Sequence, residues 1–266
     1  MAGESPVVNQ GFLKTAWEWF FPSVCAGCGV PVNPGRELPL CGECEAELVF
    51  YDPPACPCRL DSATPWDERH IHCELCRGLP AGSFSSVRSA FQYAGTAGEL
   101  VRNLKYRRRE HLASLIARAA VGTSGNELRA MVEQGKIDLA APVPLHFTRR
   151  WNRGFNQSDL IAHEMSLLLE VEYCPDAAAR VRQTPRQTSM RTSKQRLANV
   201  KDAFAVPDPA LVAGRKILLV DDVLTTGATA AACGKALYDS GARAVHVFTV
   251  TRAGFDPLAA SYLDSV

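Results

Sequence analysis

Lys216-Ile217-Leu218-Leu219-Val220-Asp221-Asp222-Val223-Leu224-Thr225-Thr226-Gly227-Ala228-Thr229 is the stretch whose reading decides the fold. Its first five residues form a short, continuous apolar run, the pattern of a strand buried on both faces. A run of small residues from about Thr229 to Ser240 predicts a helix, and Gly241 is a suitable residue to end it. Ala244–Val250 then reads as a second buried strand. Strand, helix and strand at this spacing imply a parallel sheet with right-handed crossovers. Ligands on such sheets sit outside the carboxyl ends of the strands. Two acids, Asp221 and Asp222, leave the apolar run at that end, where carboxylates can accept hydrogen bonds from vicinal hydroxyls. The Thr/Gly loop after them opens a helix, whose first N–H groups favour an anion. Gly227 allows close backbone approach. No Lys follows it, so this is not a Walker loop.

Upstream, Val87, Ala90, Phe91 and Tyr93 predict a strand. Leu100, Val101, Leu104, Leu112, Leu115, Ile116 and Ala119 recur at helical spacing over two consecutive helices. Ile137–Leu145 reads as a strand running into a loop, and Leu160, Ile161, Met165, Leu168 and Leu169 as an amphipathic helix capped by Ser158 or Asp159. The body is therefore α/β with a parallel sheet.

Eight of the ten cysteines lie ahead of this body. Cys25-x-x-Cys28 is followed after twelve residues by Cys41-x-x-Cys44, and Cys56-x-Cys58 after fourteen by Cys73-x-x-Cys76. Paired knuckles of this kind build tetrahedral thiolate cages that suit Zn²⁺. Neighbouring knuckles pair by default, giving one or two structural zinc ions; interleaved pairing is the alternative. Cys56–Cys58 is one residue short, and His70 or His72 is a possible replacement ligand there. A disulfide framework would require an oxidising compartment, and no export signal is visible. A loop-rich segment of this size buries little core, so metal would supply stability. The expected organisation is a docking helix over 1–22, a double zinc ribbon over 23–80 and the α/β body over 81–266.

The chain of 266 residues carries a formal charge of only +1, but its halves differ. Residues 1–80 hold 5 Lys/Arg and 11 Asp/Glu, so the rest of the chain is basic. Composition is that of a globular protein, with 47% apolar and 21% charged residues, which excludes disordered and collagen-like chains. No uninterrupted apolar run is long enough to span a membrane, and a cytoplasmic protein without stable membrane insertion is expected. The basic excess falls in Arg102–Arg109, Arg149–Arg153 and Arg180–Lys201. The first of these, interleaved with Tyr106, could grip phosphates of single-stranded nucleic acid or line the substrate side of the acid-pair site.

Val220–Thr229 resembles the phosphoribosyl-diphosphate (PRPP) binding motif of type I phosphoribosyltransferases. The resemblance implies that Asp221 and Asp222 bind ribose hydroxyls and that Thr225, Thr226, Gly227, Ala228 and Thr229 bind the 5′-phosphate. Arg153-Gly154-Phe155-Asn156-Gln157, Leu104-Lys105-Tyr106, Thr184–Gln187 and Arg196–Phe204 resemble the competence protein F (ComF) family, as do the clustered cysteines. The short Cys56–Cys58 knuckle departs from its pattern. The implied fold is a type I phosphoribosyltransferase-like sheet flanked by helices, with a zinc-ribbon module. The family further implies a diphosphate loop at Arg149, Arg150 and Arg153, a mobile catalytic loop over 180–201, and Mg²⁺ bound with PRPP. The expected reaction is displacement of diphosphate by a nitrogen acceptor of unknown identity. The alternatives are a PRPP or nucleotide sensor without turnover, and a single-stranded-DNA factor of the DNA-uptake machinery.

Overall fold

The computed structural model describes residues 23–33, 36–50, 79, 82–106, 109–145, 154–182, 198–200 and 202–253. Five parallel strands make the central sheet: β1 (Ser86–Gln92), β2 (Leu139–Pro142), β3 (Glu172–Tyr173), β6 (Lys216–Leu224) and β7 (Ala244–Arg252), in the order β1-β7-β6-β2-β3. A separate antiparallel pair joins β4 (Ala179–Arg180) to β5 (Phe204–Ala205). The described elements include the α-helices α1 (Gly42–Ala46), α2 (Gly95–Tyr106), α3 (Leu112–Glu133), α4 (Gln157–Leu169) and α5 (Ala228–Asp239), and a 3-10 turn over Pro209–Leu211.

Strand side chains alternate between faces, so one apolar run must serve two cores. Leu218 and Val220 of β6, with Phe248 and Val250 of β7, enter the core that holds α2, α3 and α4. Ile217, Leu219, Val245 and Val247 enter the other, which holds α5 and the β4–β5 pair. This two-sided burial is why β6 reads as apolar without alternation. The chain leaves β2 into α4 on the first face and leaves β6 into α5 on the second. β2 and β6 are neighbours, so the crevice between their carboxyl ends is a topological switch point, where such sheets bind ligands.

Two expectations need correction. β6 does not stop at Val220: it runs to Leu224 and contains both acids. β7 holds it there, with Asp221 opposite Thr249 and Leu224 opposite Arg252. The residue preceding α4 is Asn156, which makes no side-chain cap bond, and Ser158 has another use described below. The expected docking helix over 1–22 lies outside the described residues. Among the described residues, no helix is long and apolar enough to cross a membrane.

Candidate functional site

β2 ends at Pro142, and the last bond from this side runs from Val143 N to Val220 O (2.8 Å). Beyond that point, among the described residues, β6 keeps β7 on one edge only, so Asp221 and Asp222 project past the end of β2. Asp221 Oδ1 accepts from Ser158 Oγ in the first turn of α4 (2.8 Å) and from the backbone N of Asp222 (2.9 Å). Asp222 Oδ1 pairs with Lys105 Nζ from the last turn of α2 at 3.0 Å, with side chains 11% and 17% exposed. Thr251 Oγ1 donates to the Asp222 carbonyl (3.0 Å) and fixes the strand beneath. Burial, then the charge of Asp222, pushes the Asp221 carboxyl up to about 7; Ser158, the Asp222 N–H and Lys105 oppose this. Tyr93, just past β1, is half-buried near Lys105, Arg102 and Asp222, and burial raises its phenol.

The Thr225–Gly227 turn leads from β6 into α5. Gly227 has φ +72°, a left-handed conformation that costs a side chain energy. The first bond of the helix runs from Ala231 N to Gly227 O (2.8 Å). N–H groups ahead of such a bond have no carbonyl one turn back, which makes the end of α5 favourable for an anion. Among the described residues, two buried oxygens of this region have no hydrogen-bond partner: Thr226 Oγ1 and Asn156 Oδ1. Buried polar atoms are normally satisfied, so both fit a polar ligand or water in the crevice. Asn156 Nδ2 donates to Val143 O (3.1 Å), tying the start of α4 to the end of β2.

The other cluster is sulfur. The Sγ atoms of Cys25, Cys28, Cys41 and Cys44 lie within 4.8 Å of one another, and all four thiols are free. A tetrahedral cage with metal–sulfur bonds of about 2.3 Å has sulfur–sulfur edges of about 3.8 Å; Cys28 and Cys41 are 3.7 Å apart. Backbone N–H groups point at the sulfurs, Cys41 N at Cys25 Sγ (3.2 Å) and Cys44 N at Cys41 Sγ (3.4 Å), which stabilises thiolates. A Cβ on Gly27 would meet Cys44 Sγ at 2.8 Å, so this knuckle accepts only glycine without a shift. Protein groups alone leave Cys44 hard to ionise: burial pushes it up to about 12, the Cys28, Cys25 and Cys41 sulfurs add to this, and Thr96 opposes. A bound cation would reverse that, and the donor set fits a metal ion.

Residues 157–264 match the phosphoribosyl transferase domain family. The chain is 32% identical over 238 residues to the DNA utilization protein YhgH of Escherichia coli (strain K12), covering 87% of this chain and 97% of that protein. It is 28% identical over 232 residues to Competence protein F of Haemophilus influenzae, covering 86% and 90%. The chain belongs to the ComF family. In this ComF protein the phosphoribosyl transferase match begins at the first residue of α4 and includes β6, the turn and α5. The cysteine cluster lies ahead of it.

The ComF fold brings Asp221, Asp222, Thr225, Thr226, Gly227, Ala228 and Thr229 to the carboxyl end of β6. Arg149, Arg150 and Arg153 lie outside the described residues, as do Cys56, Cys58, Cys73, Cys76, His70 and His72. Arg107, Arg108 and residues 183–197 do too. Arg180, expected in a mobile loop, stands on β4 with its guanidinium 5.2 Å from the centroid of the Phe204 ring. Arg102 pairs with Glu99. Ser158 and Tyr93 were missed as site residues. In the sequence Ser158 reads as a helix-cap candidate directly after the Arg153–Gln157 motif, not as a partner of the acids. His246 is structural, buried and 2.7 Å from Ser86 Oγ through Nδ1, and Cys233 is fully buried.

Proposed function

We propose that this ComF protein binds Mg·PRPP in the crevice between β2 and β6. The acid pair would take the ribose hydroxyls, and the Thr225–Thr229 segment the 5′-phosphate. The observation that carries this reading is the acid pair itself: two adjacent carboxylates past the end of β2, held by Ser158 and Lys105 and followed directly by a turn into a helix N-terminus. The orphaned Thr226 Oγ1 supports a ligand on the turn side. Arg149, Arg150 and Arg153 would receive the diphosphate.

The reaction proposed is N-glycosyl transfer. The bond from the anomeric carbon to diphosphate breaks, its electron pair leaves with the diphosphate, and a nitrogen acceptor forms the new bond and loses a proton. Mg²⁺ would offset charge on the leaving group. The protein's own part is to orient the ribose and to place cations near the departing diphosphate, so no protein nucleophile is required. Zn²⁺ is the metal proposed for Cys25, Cys28, Cys41 and Cys44, with a structural role, because four protein thiolates leave no open position.

Calorimetry with PRPP and Mg²⁺ tests the site. Binding by the wild type, lost in Asp221→Ala and Asp222→Ala, is expected; absence of binding to the wild type would sink the reading. Diphosphate release with a panel of bases and amines separates enzyme from sensor. A second reading, association with single-stranded DNA during uptake, is favoured by the names of the relatives and by the basic Arg102–Arg109 run. A salt-dependent mobility shift of single-stranded DNA, lost on neutralising Arg107–Arg109, would support it.

A further inference from the structure

Lys105 belongs to the acid pair, although it stands on a helix that the phosphoribosyl transferase match does not reach. Its helix does not need it for anchoring: Leu100, Val101 and Leu104 already bury α2 in the core. Its neighbour Arg102 is engaged by Glu99, so among the described residues Lys105 is the cation in ion-pair range of either acid. Both partners of the Lys105–Asp222 contact are largely withdrawn from water, and the contact lies where β6 has lost β2 as a neighbour. Asp222 stands directly beside Asp221, so without a cation two adjacent carboxylates would share a poorly solvated place. Lys105 Nζ approaches Oδ1 of the Asp222 carboxylate from α2.

We propose that Lys105 is a positioning residue of this site: its ammonium fixes the Asp222 carboxylate and balances the acid pair so that both acids can face the hydroxyls of a sugar phosphate. The ligand half of this statement rests on the PRPP reading; the electrostatic half does not. The groups that face Asp221 are Asp222 on its own strand, Lys105 on α2, Ser158 on α4 and the Cys233 thiol on α5. Of these, Lys105 is the cation, and it holds the Asp221 carboxyl down against burial and Asp222.

The test uses the full chain with its metal, as wild type, Lys105→Met and Lys105→Arg, each checked by its melting curve. The first measurement is Mg·PRPP affinity by calorimetry at pH 7. Lys105→Met is expected to weaken it about tenfold or more, and Lys105→Arg to recover most of the loss. Wild-type affinity in Lys105→Met would overturn the proposal and leave the PRPP reading standing. The second measurement needs no ligand: carbon NMR titration of the Asp221 carboxyl. An upward shift in Lys105→Met that Lys105→Arg restores supports the proposal, and an unmoved titration overturns it. If the wild type does not bind Mg·PRPP while the titration moves as expected, the PRPP reading fails and Lys105 remains the residue that holds the acid pair.

Discussion

Asp221 carries a conflict between folding and binding. Its carboxyl ionises near 3.8 in the unfolded chain, but burial and Asp222 move it to about 7 in the folded protein. Between those values the folded state holds a proton that the unfolded state has released, so stability falls as pH rises through this window and stays reduced above it. Asp221→Asn keeps an oxygen for Ser158 and for the Asp222 N–H but cannot ionise. The variant is expected to melt a few degrees above wild type at pH 8, with the difference closing towards pH 4. It is also expected to lose Mg·PRPP binding, while wild-type affinity climbs through about pH 7 as Asp221 ionises. Equal melting curves at pH 8 would show that the carboxyl is not destabilised as described. The Asp221-Asp222 pair and the Thr225–Gly227 turn could be read in the sequence because they are contiguous, with side chains whose chemistry is plain. Lys105 is legible only as part of the Leu104-Lys105-Tyr106 resemblance and of a basic run that could line the substrate side. Its pairing with Asp222 and the reach of Ser158 are not legible, because both come from distant points in the chain and only packing decides which polar groups on two helices meet β6.

At the scale of elements, β6 shows where a residue pattern misleads. Asp is depleted in strands, so the residue pattern predicts a strand that ends at Val220. The ladder to β7 outweighs that preference: its parallel bonds continue as far as Leu224 opposite Arg252. The existence and chain order of β1, β2, β6 and β7 and the small-residue character of α5 are legible, because buried strands and helices that pack closely leave composition signatures; β3, β4 and β5, two residues each, leave none. The reason α5 needs small residues is visible at Gly234. A Cβ there would come within 2.1 Å of the Ser83 carbonyl oxygen, a backbone atom with no rotamer to yield. Gly234→Ala must therefore push α5 off the segment leading into β1, with an expected loss of about 3 kcal/mol in urea unfolding. Gly122, inside α3 with nothing within 4 Å of its would-be Cβ, is the control. Gly122→Ala is expected to stabilise by about 0.5–1 kcal/mol through helix propensity. If both substitutions move the midpoint the same way, the close approach of α5 is not what selects glycine at 234.

At the scale of the whole molecule, and among the described residues, the cysteine-bearing part of the N-terminal segment (23–50) meets the α/β body at α2. The cysteine knuckles dock there: Leu40, Leu48, Cys25 and Cys44 join the core that buries Leu100, Val101 and Leu104. Thr96 Oγ1 donates to Glu47 Oε2 (2.9 Å), and Gln92 N to Val49 O (2.8 Å). Cysteine spacing marks out a cluster of thiols but says nothing of the face that it covers, since docking depends on scattered apolar residues without a period of their own. This arrangement predicts a mechanical link. Thr96 touches the cage end of α2 and Lys105 the acid-pair end, about 14 Å apart at helical rise. A helix is stiff over that length, so loosening the cage should displace Lys105 from Asp222. Cys28→Ser removes a ligand from the exposed side of the cage and leaves the buried Cys25 and Cys44 in place. It is expected to lower zinc content and melting temperature, and to weaken Mg·PRPP binding several-fold, although no mutated atom lies in the crevice. A zinc-selective chelator that spares Mg²⁺ should reproduce the effect on wild type and add little to Lys105→Met, because the two act through one contact. Full Mg·PRPP affinity in a zinc-depleted, still folded protein would show that α2 holds its place without the metal, and the cage would then be a local staple with no reach into the site.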